Sequence, residues 1–179
     1  GDLEDYFELF QKHDQMCGGF VWEWCDHAVF HGETPEGKKI WHYGGDHGEA
    51  VHDGNFCMDG LVYPDRTPHT GLLEYRNVYR PVRVVSFEQE SRTLTVRNQM
   101  DFIDLKDYAE IHYEVSCDGI CQESGVLPAI QAKPGQTGSV CLKIGIPERG
   151  RAYLKLICRR KKEEALVPAG HVPVSYTHL

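Results

Sequence analysis

Leu3-Glu4-Asp5-Tyr6-Phe7-Glu8-Leu9-Phe10, a break at Cys17-Gly18-Gly19, and then Phe20-Val21-Trp22 form the stretch whose reading decides the first half of the fold. Leu3, Tyr6, Phe7, Leu9 and Phe10 fall at helical spacing, and Asp2 and Glu4 stand where acidic groups favour a helix N-terminus. Phe20-Val21-Trp22 lacks alternation, which predicts a short strand buried on both faces, as in a parallel sheet. Helix, turn and buried strand together make half of a β/α repeat. From about Glu23 to His69, turn-forming residues replace any clear period, so this stretch is predicted to be loop. Loops of that length in a compact domain usually carry function. Thr70 to Tyr79 reads as a closing helix with Leu72, Leu73, Tyr75 and Val78 as its apolar positions, ended by Pro81.

Beyond Pro81 the pattern changes. Val82–Phe87, Thr93–Val96, Glu110–Val115, Ser139–Ile144 and Ala152–Cys158 are short strand-like runs separated by Gly, Pro, Asn and Asp clusters, the spacing of an antiparallel sandwich. Leu154, Leu156 and Cys158 are predicted to share one face, with Lys155 and Ile157 on the other. Arg159-Arg160-Lys161-Lys162 reads as a solvated turn. Residues 1–80 hold 15 acidic and 6 basic side chains, against 12 and 13 in residues 81–179, and seven of the ten histidines lie in the first part. A domain boundary therefore falls beside Pro81. The fold class is α/β plus all-β.

The whole chain of 179 residues is 41% hydrophobic, enough to bury a core. A net charge of -8 argues against nucleic acid as a partner, because phosphate binding depends on clustered Lys and Arg. No run of about 18 apolar residues exists, so no membrane span is expected. The seven cysteines show no paired C-x-x-C spacing, which fits a reduced, cytoplasmic setting better than a disulfide framework, although Cys117 and Cys121 could meet across a tight turn. The chain opens at Gly1 without an initiating Met, and a fragment of a longer protein is the expectation.

The predicted loop holds Trp22-Glu23-Trp24, Asp26-His27, Asp46-His47, His52-Asp53 and Asp59. Aromatics and carboxylates at the C-terminal end of a barrel strand suit a sugar, whose C–H face lies on an indole while its hydroxyls seek acidic acceptors. The competing reading is that the tryptophans pack and the carboxylates are merely solvated. His42, His47 and His52 recur at intervals of five and raise a zinc site, but neither H-x-x-x-H spacing nor a Cys-rich knuckle accompanies them. Hydrogen-bonding loop histidines are the expected reading. No phosphate loop, serine nucleophile elbow or kinase signature is present.

Gly18-Gly19-Phe20-Val21-Trp22-Glu23-Trp24, Tyr43-Gly44-Gly45-Asp46, Asp53-Gly54-Asn55-Phe56-Cys57-Met58-Asp59-Gly60-Leu61-Val62 and Pro64-Asp65-Arg66-Thr67-Pro68-His69, taken in order, resemble the end of the barrel in large β-galactosidases of glycoside hydrolase family 2. The resemblance runs on through Glu74-Tyr75 and Tyr79-Arg80-Pro81-Val82 and covers about residues 1–172. It implies the C-terminal end of a TIM (β/α)8 barrel over 1–80, an immunoglobulin-like β-sandwich over 81–167, and the start of a further β domain over 168–173. Residues 174–179 resemble the translated end of a transposon adapter.

The same resemblance implies roles. Trp22 matches the tryptophan that lines the galactose pocket. Phe56 matches a residue whose backbone carbonyl binds sodium, and Asp59 matches the next sodium ligand, an Asn in the best-known members, which also touches the sugar. A carboxylate at that position is admissible, since hard cations prefer oxygen. His52 stands where some relatives have an Asn associated with a second magnesium, and the principal magnesium ligands lie upstream. Both catalytic glutamates also precede Gly1, so the resemblance implies no catalytic residue in this chain and an inactive fragment of a retaining enzyme, in which two carboxyl groups stand about 5–5.5 Å apart. Glu23 and Asp26 match a structural part of the motif. A galactoside is the implied partner, and the resemblance leaves room for a homo-oligomeric parent. Two other readings stand beside this one: β-glucuronidase, for which no acid-binding Lys or Arg is evident near Trp22, and a stand-alone carbohydrate-binding β module.

Overall fold

The computed structural model describes residues 2–178. Residues 1–79 and 80–179 form two compact units. No helix among the described residues is long and apolar enough to cross a membrane.

The first unit begins with helix α1, Leu3–Lys12, which has Glu4 and Asp5 in its first turn and Lys12 in its last, the order that complements the helix dipole. Its inward residue is Phe7, which meets Tyr79 edge-on at 5.0 Å. The expected loop over 23–69 contains a hairpin, β1 (Val29–Glu33) paired with β2 (Lys39–His42). The Thr34–Lys38 turn builds it, with Gly37 at φ 78 and Thr34 Oγ1 accepting the Lys38 N–H at 3.2 Å. Helix α2, Thr70–Val78, stops one residue earlier than its pattern suggests.

Phe20-Val21-Trp22 is not a buried strand. Phe20 and Trp22 are exposed, at 104% and 77%, and these three residues pair with no strand among the described residues. A strand buried on both faces needs neighbours at both edges, and 20–22 has none here. The chain instead lays residues 23–26 alongside 59–62, through Glu23 N–H to Asp59 O (3.0 Å), Leu61 N–H to Glu23 O (2.8 Å), Val62 N–H to Trp24 O (3.0 Å) and Asp26 N–H to Val62 O (3.0 Å).

The second unit is a β-sandwich. One sheet orders β3 (Val82–Glu88), β4 (Thr93–Asn98) and β7 (Thr137–Cys141). After a single helical turn, α3 (Leu105–Tyr108), the other sheet orders β6 (Ile120–Val126), β5 (Ala109–Cys117), β8 (Ala152–Arg160) and β9 (Val174–His178). Alternation fills the core: Leu94 and Val96 from β4, Ile111 and Val115 from β5, and Leu154, Leu156 and Cys158 from β8 face inward, with Lys155 outward. Strand β7 ends at Cys141, short of the expected Ile144, and is locked at Gly138, where an added Cβ would stand 2.3 Å from the Gln131 carbonyl.

Asp118 and Gly119, at φ 49 and 82, make the two-residue turn between β5 and β6. The register sets Cys117 opposite Ile120 and Cys121 opposite Ser116, so the two thiols are not bonded. Arg159 and Arg160 belong to β8 rather than to a turn. Arg160 pairs with Glu164 and stands 4.4 Å from the centre of the Tyr108 ring. Strand β9 lies over the stretch that resembles an adapter product; it pairs with β8, and Val174 is buried.

Candidate functional site

The sequence-nominated residues lie in the first unit, and hydrogen bonds join several of them. Glu23 N–H, in the peptide that follows Trp22, donates to the backbone carbonyl of Asp59 at 3.0 Å. Trp22 presents its indole to solvent, and Oδ1 of Asp59 is shut away from solvent without a hydrogen-bond partner. A buried carboxylate oxygen left unmatched is unfavourable until a cation or a hydroxyl meets it. Phe56 is exposed at 84% and sits in the turns that precede Asp59, where Phe56 N–H bonds Asp53 O at 3.2 Å and Met58 N–H bonds Asn55 O at 3.1 Å. His27 N–H bonds Cys57 O at 2.9 Å and ties that turn to the Trp22 segment.

Beneath the loop lies an anchor that the sequence does not signal. The Asp26 side chain is fully buried; its Oδ1 accepts the Gly60 N–H at 2.8 Å and its Oδ2 meets His69 Nε2 at 2.8 Å. The His69 ring stacks on Tyr63 at 3.6 Å. Asp26 and His69 are 43 residues apart in the chain, so no local spacing marks the pair. Asp65 caps the adjoining turn: the Thr67 hydroxyl and N–H, then the Lys39 ammonium, hold its carboxyl down at about 2. Glu49 is likewise lowered, chiefly by the Gly45 N–H.

Glu23, Trp24, Asp26, His27 and Arg66 help line an open cleft of about 560 Å³. Both acids there already have partners: Glu23 pairs with His27 at 2.8 Å, and Asp26 is bonded to Gly60 and His69. The histidine series forms contacts of its own. His31 stacks on His42 at 3.5 Å, His47 meets His42 edge-on at 5.4 Å, and His52 Nδ1 accepts the Gly54 N–H at 3.0 Å. Among the described residues no group of three His, Cys, Asp or Glu converges on a metal position.

Residues 1–84 match the family model for the glycosyl hydrolases family 2 TIM barrel domain, and residues 94–177 match that for β-galactosidase domain 4. The chain is 48% identical over 148 residues to a β-galactosidase of Actinobacillus pleuropneumoniae, covering 83% of this chain and 14% of that protein. It is 47% identical over 116 residues to one from Staphylococcus xylosus, covering 65% and 11%, and 35% identical over 187 residues to one from Arthrobacter sp. (strain B7), covering 100% and 18%. It thus spans 11–18% of the length of these curated relatives. With both of its units matched, the chain belongs to the β-galactosidase group of glycosyl hydrolase family 2.

Proposed function

We propose that this chain supplies one wall of the galactoside pocket in a retaining β-galactosidase that hydrolyses terminal β-D-galactosides. Its first unit is then the closing part of the catalytic TIM barrel, and its second is the immunoglobulin-like domain that follows. The observation that carries the reading is the junction of Trp22 with Asp59: an exposed indole and a partnerless carboxylate oxygen, tied through adjoining peptides. An indole face accepts the apolar side of galactose, and Asp59 Oδ1 accepts a hydroxyl or a hard cation.

Sodium fits this donor set. Asp59 offers its buried oxygen and Phe56 its backbone carbonyl, and sodium bound there would give a sugar hydroxyl a fixed positive partner. Trp22 orients the ring and Asp59 fixes a hydroxyl. The two carboxyl groups of the double displacement come from elsewhere in the enzyme, because Glu23 and Asp26 are committed to His27, His69 and Gly60.

The test is steady-state kinetics of the full-length enzyme on nitrophenyl β-galactoside, with and without sodium. Trp22→Ala is expected to raise KM and lower kcat/KM, and Asp59→Ala to abolish the sodium response. An unchanged kcat/KM in Trp22→Ala removes that residue from the pocket. The 179-residue chain alone is expected to release no nitrophenol.

A further inference from the structure

We infer that Asp26, braced by His69, is a positioning residue that fixes where Asp59 stands; the inference rests on the galactoside reading of that site. The argument turns on one peptide plane. The carbonyl of Asp59 and the N–H of Gly60 belong to the same planar unit, so two bonds on opposite sides of it set its orientation. The carbonyl side is held by Glu23 N–H at 3.0 Å, and the N–H side by Asp26 Oδ1 at 2.8 Å. With both ends gripped, the Cα of Asp59 cannot swing without breaking one of them.

Three further features stiffen the grip. The Asp26 carboxylate is wholly buried, where an unmatched oxygen is costly, and both of its oxygens are matched. Position 60 admits no side chain, since a Cβ there would lie 2.2 Å from the Asp26 nitrogen and 2.4 Å from the Cys25 carbonyl carbon. His69 cannot drift either, because its own N–H bonds Leu61 O at 3.0 Å and its ring lies on Tyr63. Asp26 touches neither sugar nor ion in this scheme. It acts through the Gly60 peptide on the side chain that does.

Two measurements separate this inference from the reading beneath it. The first follows amide exchange at Gly60 in the 179-residue chain, for Asp26→Ala, for the isosteric Asp26→Asn and for His69→Gln. The second measures binding of isopropyl thiogalactoside to the full-length enzyme by calorimetry, alongside KM and kcat. Asp26→Ala is expected to speed Gly60 exchange and to weaken thiogalactoside binding by about 10- to 100-fold. Asp26→Asn, which retains an acceptor for Gly60, is expected to rescue most of both losses. Should Asp26→Ala fail to fold, the difference between Asp26→Asn and His69→Gln carries the same test. Unchanged Gly60 exchange in a folded Asp26→Ala chain overturns the inference, as does faster exchange with undiminished thiogalactoside affinity. Absence of thiogalactoside binding to the unsubstituted enzyme overturns the galactoside reading alone, with Gly60 exchange still reporting on the clamp.

Discussion

The two units hold their shape by different means. Among the described residues, eighteen apolar side chains are buried; fifteen lie beyond residue 80, and Phe7, Val62 and Val78 lie before it. The sandwich is therefore specified by burial, through strands whose alternate side chains meet in one core. The first unit is specified by hydrogen bonds: a backbone ladder between 23–26 and 59–62, a buried carboxylate and a capped turn, with Phe20, Trp22, Trp24 and Phe56 facing outward. On the proposed reading, a surface that takes a hydroxyl-rich ligand cannot also be closed off as core, which accounts for exposed aromatics and fixed acceptors in the first unit.

The sharpest way to break this contrast is to open the sandwich core. Leu156→Ala, at a position 1% exposed, is expected to cost about 2–5 kcal/mol, read as a fall in the urea midpoint of the sandwich transition. Asn98 is the polar exception inside that core. Its amide donates to Ile103 O and Ala132 O at 2.8 and 3.0 Å, and its Oδ1 accepts the Met100 N–H at 2.9 Å, so Asn98→Ala is expected to cost about 2 kcal/mol by the same measurement.

The third test uses pH. Burial pushes the Cys158 thiol from its ordinary value of 9.0 up to about 12, so the folded state keeps a proton that the unfolded chain releases. Stability from this source is fully present below the unfolded value and is lost as pH rises toward the folded one. The sandwich is thus expected to lose about 1 kcal/mol between pH 8 and pH 10, and Cys158→Ala to flatten that slope. The smallest effect belongs to the other unit. Trp22→Ala is expected to change stability by less than about 0.5 kcal/mol, because the indole is already in water. A large loss on that substitution would mean that Trp22 holds structure instead of ligand.

What the sequence discloses follows the same division. The alternation of Leu154, Leu156 and Cys158 is legible because a half-buried strand must write its faces into every second residue. Strand β6 is not, since Ile120–Val126 is an edge strand with mostly exposed side chains and no face to encode. Phe20-Val21-Trp22 reads as buried yet stands exposed, as a short apolar run has the same letters whether it packs or waits for a ligand. Trp22 and Asp59 stand out already among the loop's aromatics and carboxylates, whereas their particular roles, and Phe56 altogether, come from family resemblance. Asp26 is marked by both routes, as a loop carboxylate and as a structural part of the motif, but its pairing with His69 is not, because the two meet only once 23–26 lies along 59–62.

The pairing of β5 with β8 also sets the order in which the sandwich can assemble. Its register runs from Ala109 opposite Arg160 to Cys117 opposite Ala152, so each rung joins residues far apart in the chain, whereas β5 and β6 are joined by the two residues Asp118 and Gly119. Closing a long loop costs entropy before any contact repays it. The hairpin is therefore expected to form early and fast, and β8 to arrive later, before β9 adds Val174 to the core.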